Sequence, residues 1–254
     1  MSLPRTPSFR LEGQRALVAG ASSGIGEGCA VALAEAGAEV TLVARGAERL
    51  EALAAEMRSE GWAARTLPLD ISDLAATAEA VAAEGPFDIL VNSAGLARHA
   101  PLTETTVADY DAVTDLNVRA AYFLAQAVAK GLIEAGRPGS LITISSQMAH
   151  VGGVDRSVYC ATKHAVEGFT KAMAIELGPK GIRVNTICPT FIRTPLTAPT
   201  FDDPDRVAWI EDKIKLGRVG EVEDIMGAVT YLASAASAMV TGTSLLVDGG
   251  WTAG

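Results

Sequence analysis

Short runs of consecutive apolar and β-branched residues alternate along this chain with longer alanine-rich stretches whose polar positions recur at helical spacing. The strand candidates are RALVAG (15–20), AEVTLVA (38–44), AARTLPL (63–69), FDILVNSAG (87–95), GSLITISS (139–146), IRVNTICP (182–189) and TSLLVDGG (243–250). Between them the pattern predicts helices over Gly24–Ala36 (closed by Gly37), Glu48–Glu60 (closed by Gly61), Asp73–Glu84, Asn117–Glu134, Tyr159–Leu177 and Val222–Ser234. A strand that is apolar on both faces must be covered on both. Such strands alternating with helices therefore predict a parallel sheet between two helix layers. No repeat, low-complexity segment or linker divides the chain, so residues 15–254 read as a single domain behind a polar, proline-bearing leader over 1–14. One connection is unusually long, polar and proline-rich: PTFIRTPLTAPTFDDPDR, from Pro189 to Arg206. Because it follows the C-terminal end of a strand, where open α/β sheets bind ligands, it reads as a substrate lid over about 189–215 rather than a solvated surface excursion.

Composition narrows the functional classes. At 254 residues, 49% hydrophobic and 20% charged, the chain is long enough for one large domain with a substantial core and has an ordinary soluble composition. A net charge of −9 argues against nucleic acid and against a polybasic membrane surface. Three cysteines, Cys29, Cys160 and Cys188, lack metal-ligand spacing and suit a reducing cytosol, so no metal is expected. The leader has basic residues but no apolar run behind them, and no segment is apolar for long enough to span a bilayer. A cytoplasmic, soluble protein is the expectation.

The stretch VAGASSGIGEG follows the first strand and opens the first helix, with Gly20, Gly24 and Gly26 at the spacing G-x-x-x-G-x-G. Glycine permits a sharp turn and a close approach of backbone to a pyrophosphate, and a helix N-terminus offers unpaired N–H groups to it. In a strand-to-helix context the loop Gly20, Ser22, Ser23, Gly24, Ile25 and Gly26 is a dinucleotide site rather than a plain turn. An NAD-binding unit carries an acid about 20 residues on, at the end of the second strand. Here VTLVARGAER puts Ala44 in that place, followed by Arg45. A carboxylate would repel a 2′-phosphate, whereas a guanidinium binds it, so NADP(H) is favoured and NAD(H) is possible. Asp70, ending LPLD, is a candidate for the adenine amino group, with a helix N-cap as its structural alternative.

The segment SVYCATKH places Tyr159 four residues before Lys163 in a helical stretch, which puts both on one face, a turn apart. A cation beside a phenol favours the phenolate and lowers a pKa that is normally about 10, so the pair is either an acid–base device or, as its spacing alone would suggest, an accident of the surface.

Taken together, several motifs resemble the short-chain dehydrogenase/reductase family in its roughly 250-residue form, from about Arg15 to the end of the chain. They are Gly20-x-x-x-Gly24-x-Gly26, NSAG (Asn92 to Gly95), Asn117 in LNV, Ser146 in ISS, YCATK and CPTFIRTP. The resemblance implies a doubly wound, seven-stranded parallel sheet of Rossmann type with helices on both faces. It also implies a nicotinamide cofactor and a homotetramer. Carried onto this sequence, it makes Tyr159 the general acid/base, with Lys163 its pKa-lowering partner and ribose ligand. Ser146 orients the substrate oxygen, and Asn117 holds a relay water beside Lys163. Asn92, Ala94, Gly95, Pro189, Ile192 and Thr194 join the cofactor set. The structural alternatives are a strand-end cap for Ser146, a buried polar residue satisfied by backbone for Asn117, and a loop threonine for Thr194. Two positions depart from the family pattern: Ser93 replaces the second asparagine of NNAG, and Thr190 replaces the glycine after Pro189.

The residues expected to face the substrate are Leu96, Ala97, Arg98 and His99 after NSAG, Gln147 and Met148 after Ser146, Thr190, and the lid with Arg193. Their polar, partly cationic character suits a small hydroxylated or carboxylated carbonyl/alcohol substrate, such as a sugar acid or polyol. The long basic side chains could equally snorkel to solvent. The enzymatic rival is reduction of a 3-oxoacyl chain on acyl carrier protein. That reaction requires a basic docking patch, of which Lys130 supplies one position while Ile175 occupies the other. A nucleotide-sensing protein without activity should have lost catalytic groups, and this chain keeps Asn117, Ser146, Tyr159 and Lys163. His164 and Cys160 read as packing residues.

Overall fold

The computed structural model describes residues 3–254. Seven strands form one sheet: β1 (Arg15–Ala19), β2 (Glu39–Ala44), β3 (Ala64–Pro68), β4 (Ile89–Asn92), β5 (Gly139–Ile144), β6 (Ile182–Pro189) and β7 (Ser244–Val247). All neighbouring pairs are parallel, in the order β3-β2-β1-β4-β5-β6-β7. The α-helices are α1 (Gly24–Glu35), α2 (Ala47–Ser59), α3 (Leu74–Glu84), α4 (Val107–Thr114), α5 (Ala121–Glu134), α6 (Ser157–Leu177), α7 (Pro204–Lys213) and α8 (Glu223–Ala233). The sheet is parallel, as the apolar runs predict, and doubly wound with seven strands, as the family resemblance implies.

Strand parity builds two cores. Ala16 and Val18 of β1, with Ile89 and Val91 of β4, face the layer of α1, α2 and α8. Leu17 and Ala19, with Leu90, face the layer of α3, α5 and α6. Alternate residues of a strand point to opposite faces, which is why these strands are apolar throughout. Strand order reverses between β1 and β4, each of which pairs with a different next neighbour. The loops leaving the carboxyl ends of these strands diverge there and open a crevice.

Three features depart from the sequence pattern. The leader is not loose beside the domain: Leu11 is fully buried in the α1/α8 core, its N–H donates to the Ala36 carbonyl at 2.8 Å, and the Phe9 ring lies 6.3 Å from that of Tyr231. The helix expected from Asn117 begins ten residues earlier, at Val107, and passes through six residues of π-helix, Asp115–Ala120. Thr106 caps its start by accepting from the Asp109 N–H at 3.1 Å, a T-x-x-D signal embedded in polar sequence. Part of the expected lid is also helical. Asp203 caps α7 by accepting from Asp205 and Arg206, with Pro204 at the first helical position. Ile210 and Ile214 then form a small core with Val219, against which Phe191, Phe201 and Trp251 pack.

Candidate active site

The crevice is a cleft of about 850 Å³ running from Arg45 and Asp70 at one end to Ser146, Tyr159 and Lys163 at the other. Between them, the loop from β1 to α1 contributes Gly20, Ser22, Ser23, Gly24 and Ile25 to its wall. Two glycines there are dictated by space. Gly20 has φ +76°, and a Cβ on it would stand 2.7 Å from the Ala94 nitrogen; a Cβ on Gly26 would overlap the Gly20 carbonyl. The loop is therefore wound as tightly as backbone allows, against the end of β4 and the first turn of α1. Ser23, at the N-cap of α1, makes no side-chain cap, as at α2, α6 and α8, whereas Asp73, Thr106 and Asp203 cap α3, α4 and α7. The α1 N–H groups that normally take a cap are left for an anion in the cleft. A dinucleotide pyrophosphate fits this open, uncapped cradle.

At the nucleoside end, Arg45 is exposed at the tip of β2 and both Arg45 and Asp70 border the cleft. The Asp70 carboxylate accepts from the Ser72 hydroxyl at 2.7 Å and the Ser72 N–H at 3.0 Å. These bonds, with the nearby positive charge of Arg45, hold its pKa below the usual carboxylate value. Asp70 does not cap α3; Asp73 does.

The other end gathers the proton-transfer groups. Lys163 is buried, its Nζ donates to the Ile144 carbonyl at 3.0 Å and lies 5.5 Å from the centre of the Tyr159 ring. Both side chains border the cleft from one face of α6, one turn apart. Ser146 serves its cap and the cleft at once. Its Oγ accepts from the Met148 N–H at 3.1 Å, which leaves the hydroxyl hydrogen free to donate into the cleft it lines. Ala94, Gly95, Pro189, Ile192 and Thr194 complete this wall. Thr190 also lines it, with a buried Oγ1 that has no partner among the described residues.

Several expected residues stand behind the wall. Gly26 is packed under Gly20, and Asn92 accepts from the Ala94 N–H at 3.2 Å to shape the loop from within. Asn117 does not border the cleft: its Oδ1 accepts from the Leu96 N–H at 2.8 Å, and its Nδ2 donates to the Leu96 carbonyl at 2.8 Å and to Thr162 at 3.2 Å. Its side chain is a clamp on the loop after β4, and its Oδ1 and the Lys163 Nζ both lie within 4 Å of where a Cβ on Gly95 would stand. Gln147 is likewise buried away from the cleft, its Oε1 unpaired. His99 sits at the mouth, its ring edge-on to that of Tyr159 at 5.8 Å. Partial burial, then the charges of Arg156 and Arg206, push its pKa down to about 4, against the opposing pull of Asp155. Arg98 is engaged by Asp109 at 2.7 Å and Arg193 by Glu221 at 3.3 Å.

Other groups had no part in the expected site. Asp115 and Leu116 reach the cleft from the π-helical turn, and Thr197 reaches it while bonding to Thr194 and the Ile192 carbonyl. A T-x-x-T pair after a strand could have signalled the turn; nothing in the sequence signals a π-helical register. Beneath the site, Glu167 accepts from Thr186, Ser244 and the Cys188 thiol. Burial and this carboxylate push Cys188 up to about 12, which keeps it a thiol.

A family model described as enoyl-(acyl carrier protein) reductase matches residues 20–252. D-erythrulose reductase from Gallus gallus is 42% identical over 245 residues, covering 96% of this chain and 98% of that protein. D-threitol dehydrogenase from Mycolicibacterium smegmatis is 43% identical over 248 residues, covering 96% and 95%. Among solved structures, a gluconate 5-dehydrogenase from Burkholderia cenocepacia in complex with NADP and tartrate matches with a TM-score of 0.92 at 38% identity, covering 97% of this chain and 98% of that one. With a shared fold, near-complete coverage and the glycine loop, the serine and the tyrosine–lysine pair on one cleft, the chain belongs to the short-chain dehydrogenase/reductase family.

Proposed function

We propose that the protein is an NADP(H)-dependent oxidoreductase that interconverts a ketone and a secondary alcohol on a small polyhydroxylated substrate, a sugar acid or polyol. One observation carries the reading: a single cleft joins Arg45, next to the Ala44 that replaces an NAD-selective acid, to Ser146, Tyr159 and Lys163. The reductases and dehydrogenases of tetroses, tetritols and gluconate among its relatives support the substrate class.

The nicotinamide, when bound, supplies or accepts the hydride. In reduction, carbon gains that hydride and the carbonyl oxygen becomes an alkoxide, which needs a proton as it forms. Ser146 donates a hydrogen bond to this oxygen and fixes it beside Tyr159, and Tyr159 gives it the phenolic proton. The Lys163 ammonium, 5.5 Å from the ring centre, offsets the negative charge left on the phenolate. Oxidation runs the same path in reverse, with the phenolate as base. Arg45 binds the 2′-phosphate, and the uncapped start of α1 binds the pyrophosphate.

Among the described residues, no helix is long and apolar enough to cross a membrane. Cytoplasmic residence fits the reduced cysteines. A homotetramer would cover the apolar Tyr122 and Phe123 of α5 and Ile175 of α6, which stand exposed in the single chain. The exposed Ile175, where carrier-protein docking would call for a basic group, weighs against the acyl-carrier reading.

Thermal shift with NADP⁺, with NAD⁺ and with neither tests the cofactor, since a ligand at 100 times its Kd stabilises the fold by about 2.7 kcal/mol. A shift with NADP⁺ and NADPH-dependent reduction of a ketose or oxo sugar acid are expected. No shift with either nucleotide overturns the reading.

A further inference from the structure

Of the arginines on the segments flanking Tyr159, Arg98 is paired with Asp109 at 2.7 Å and Arg193 with Glu221 at 3.3 Å. Neither Arg156 nor Arg206 has a carboxylate within ion-pair distance among the described residues. Arg206 is exposed on α7. Arg156 is half-buried, with its guanidinium 5.6 Å from the Phe191 ring centre. Burial and the charge of Arg206 both lower its pKa, opposed by Tyr159, Cys160 and Asp155.

A half-buried guanidinium beside a second cation is unfavourable unless an anion joins them. Arg156 stands beside the cleft rather than in its wall, three residues before Tyr159, which lines it. It is the N-cap residue of α6, and Tyr159 lies in the first turn of that helix. His99 packs against Tyr159 from the facing loop, and the Ala100 N–H donates to the Asp155 carbonyl at 3.1 Å, which ties that loop to the turn carrying Arg156. Asp155, the one acid beside Arg156, is turned outward on a backbone with φ +59° and is solvent-exposed. A planar guanidinium is suited to bidentate binding of a carboxylate.

We propose that Arg156, with Arg206 from the α7 segment, binds a carboxylate at the end of the substrate remote from the reacting carbon, so that oxo sugar acids are preferred over neutral ketoses of the same shape. This rests on the oxidoreductase reading above. It divides that reading's two substrate classes and assigns specificity to a residue outside the proton-transfer set.

The test compares 5-oxo-D-gluconate with L-sorbose. The two have the same carbon chain, ketone position and hydroxyl configuration, and differ in ending on a carboxylate or a CH2OH. NADPH-dependent kcat/KM is measured for both in wild type, Arg156→Gln, Arg156→Lys and Arg206→Gln. The expected result is a wild-type preference for the acid that falls by about 10- to 100-fold in Arg156→Gln, mostly through KM, the loss of one charged hydrogen-bonding pair. Arg156→Lys should recover part of the preference, and Arg206→Gln should show a smaller drop. An NADP⁺ thermal shift equal to wild type in each variant establishes that folding and cofactor binding are intact. An acid-to-ketose ratio unchanged in Arg156→Gln overturns the proposal. So does wild-type enzyme that reduces L-sorbose as well as the acid, and in that case the oxidoreductase reading stands. Wild-type enzyme inactive on these and on other ketoses sinks both.

Discussion

At the phosphate end of the cleft, the groups that line it come from one loop and the first helical turn after it, all within Gly20–Ile25. At the substrate end they are side chains from four separated segments: the loop after β4, the end of β5, the start of α6 and the connection after β6. The first end is built from what side chains leave out. Glycines bring backbone into contact and an absent cap leaves donors free. The second end is built from what side chains add, and several are held by a partner elsewhere: Lys163 on the Ile144 carbonyl, Ser146 on the Met148 N–H, and the loop after β4 in the grip of Asn117. A local device of this kind fails when its backbone is blocked. A distributed one fails by degrees, group by group.

The comparison breaks most sharply at Tyr159. Tyr159→Phe should lower kcat by about 10²- to 10⁴-fold, the usual contribution of a general acid–base group, while the NADP⁺ thermal shift stays as in wild type. Loss of nucleotide binding in that variant would show that the two ends are not separable. Gly26→Ala attacks the other end, because the added Cβ collides with the Gly20 carbonyl, which is backbone and has little room to yield. Destabilisation of about 1–3 kcal/mol is expected by chemical denaturation, together with loss of binding to both nucleotides. A folded variant with normal affinity would mean that the cradle can relax.

Arg45→Asp sharpens the nucleotide end. NADP⁺ affinity should fall by about 10- to 100-fold with little change for NAD⁺, since a charged pair is lost and a repulsive one gained. Equal losses for both would remove Arg45 from the phosphate site.

The smallest effect is at His99, whose pKa falls from an ordinary 6.5 to about 4. The folded protein holds this ring neutral while the unfolded chain protonates it, so between these values the unfolded state binds more protons. Stability is therefore fully present above about pH 6.5 and declines as pH falls toward 4. Because the ring stands at the solvent-facing mouth, about 1–2 kcal/mol is expected rather than the full shift. His99→Asn should flatten urea-denaturation stability across that window; an unchanged slope would place its origin in other groups.

The hydrophobic pattern carried the sheet, because a strand buried on both faces must be apolar at every position, and that is visible in sequence order. It carried the cradle for a similar reason: Gly20, Gly24 and Gly26 act through the backbone of contiguous residues. Tyr159 and Lys163 were legible through helical spacing. The rest depended on contacts between segments far apart in sequence. Asn117 bears the same amide whether it faces a cleft or clamps Leu96, and only the π-helical turn places it on the second course. Gln147 follows Ser146 directly, yet it turns into the protein while Ser146 faces the cleft. Arg156 is one arginine among many in the sequence and becomes distinctive only when folding half-buries it beside Tyr159 with no carboxylate at ion-pair distance among the described residues. Local spacing fixes which residues share a strand or a helix face. Which charges go unpaired, and which polar atoms reach a ligand, is settled by the packing of one element on another.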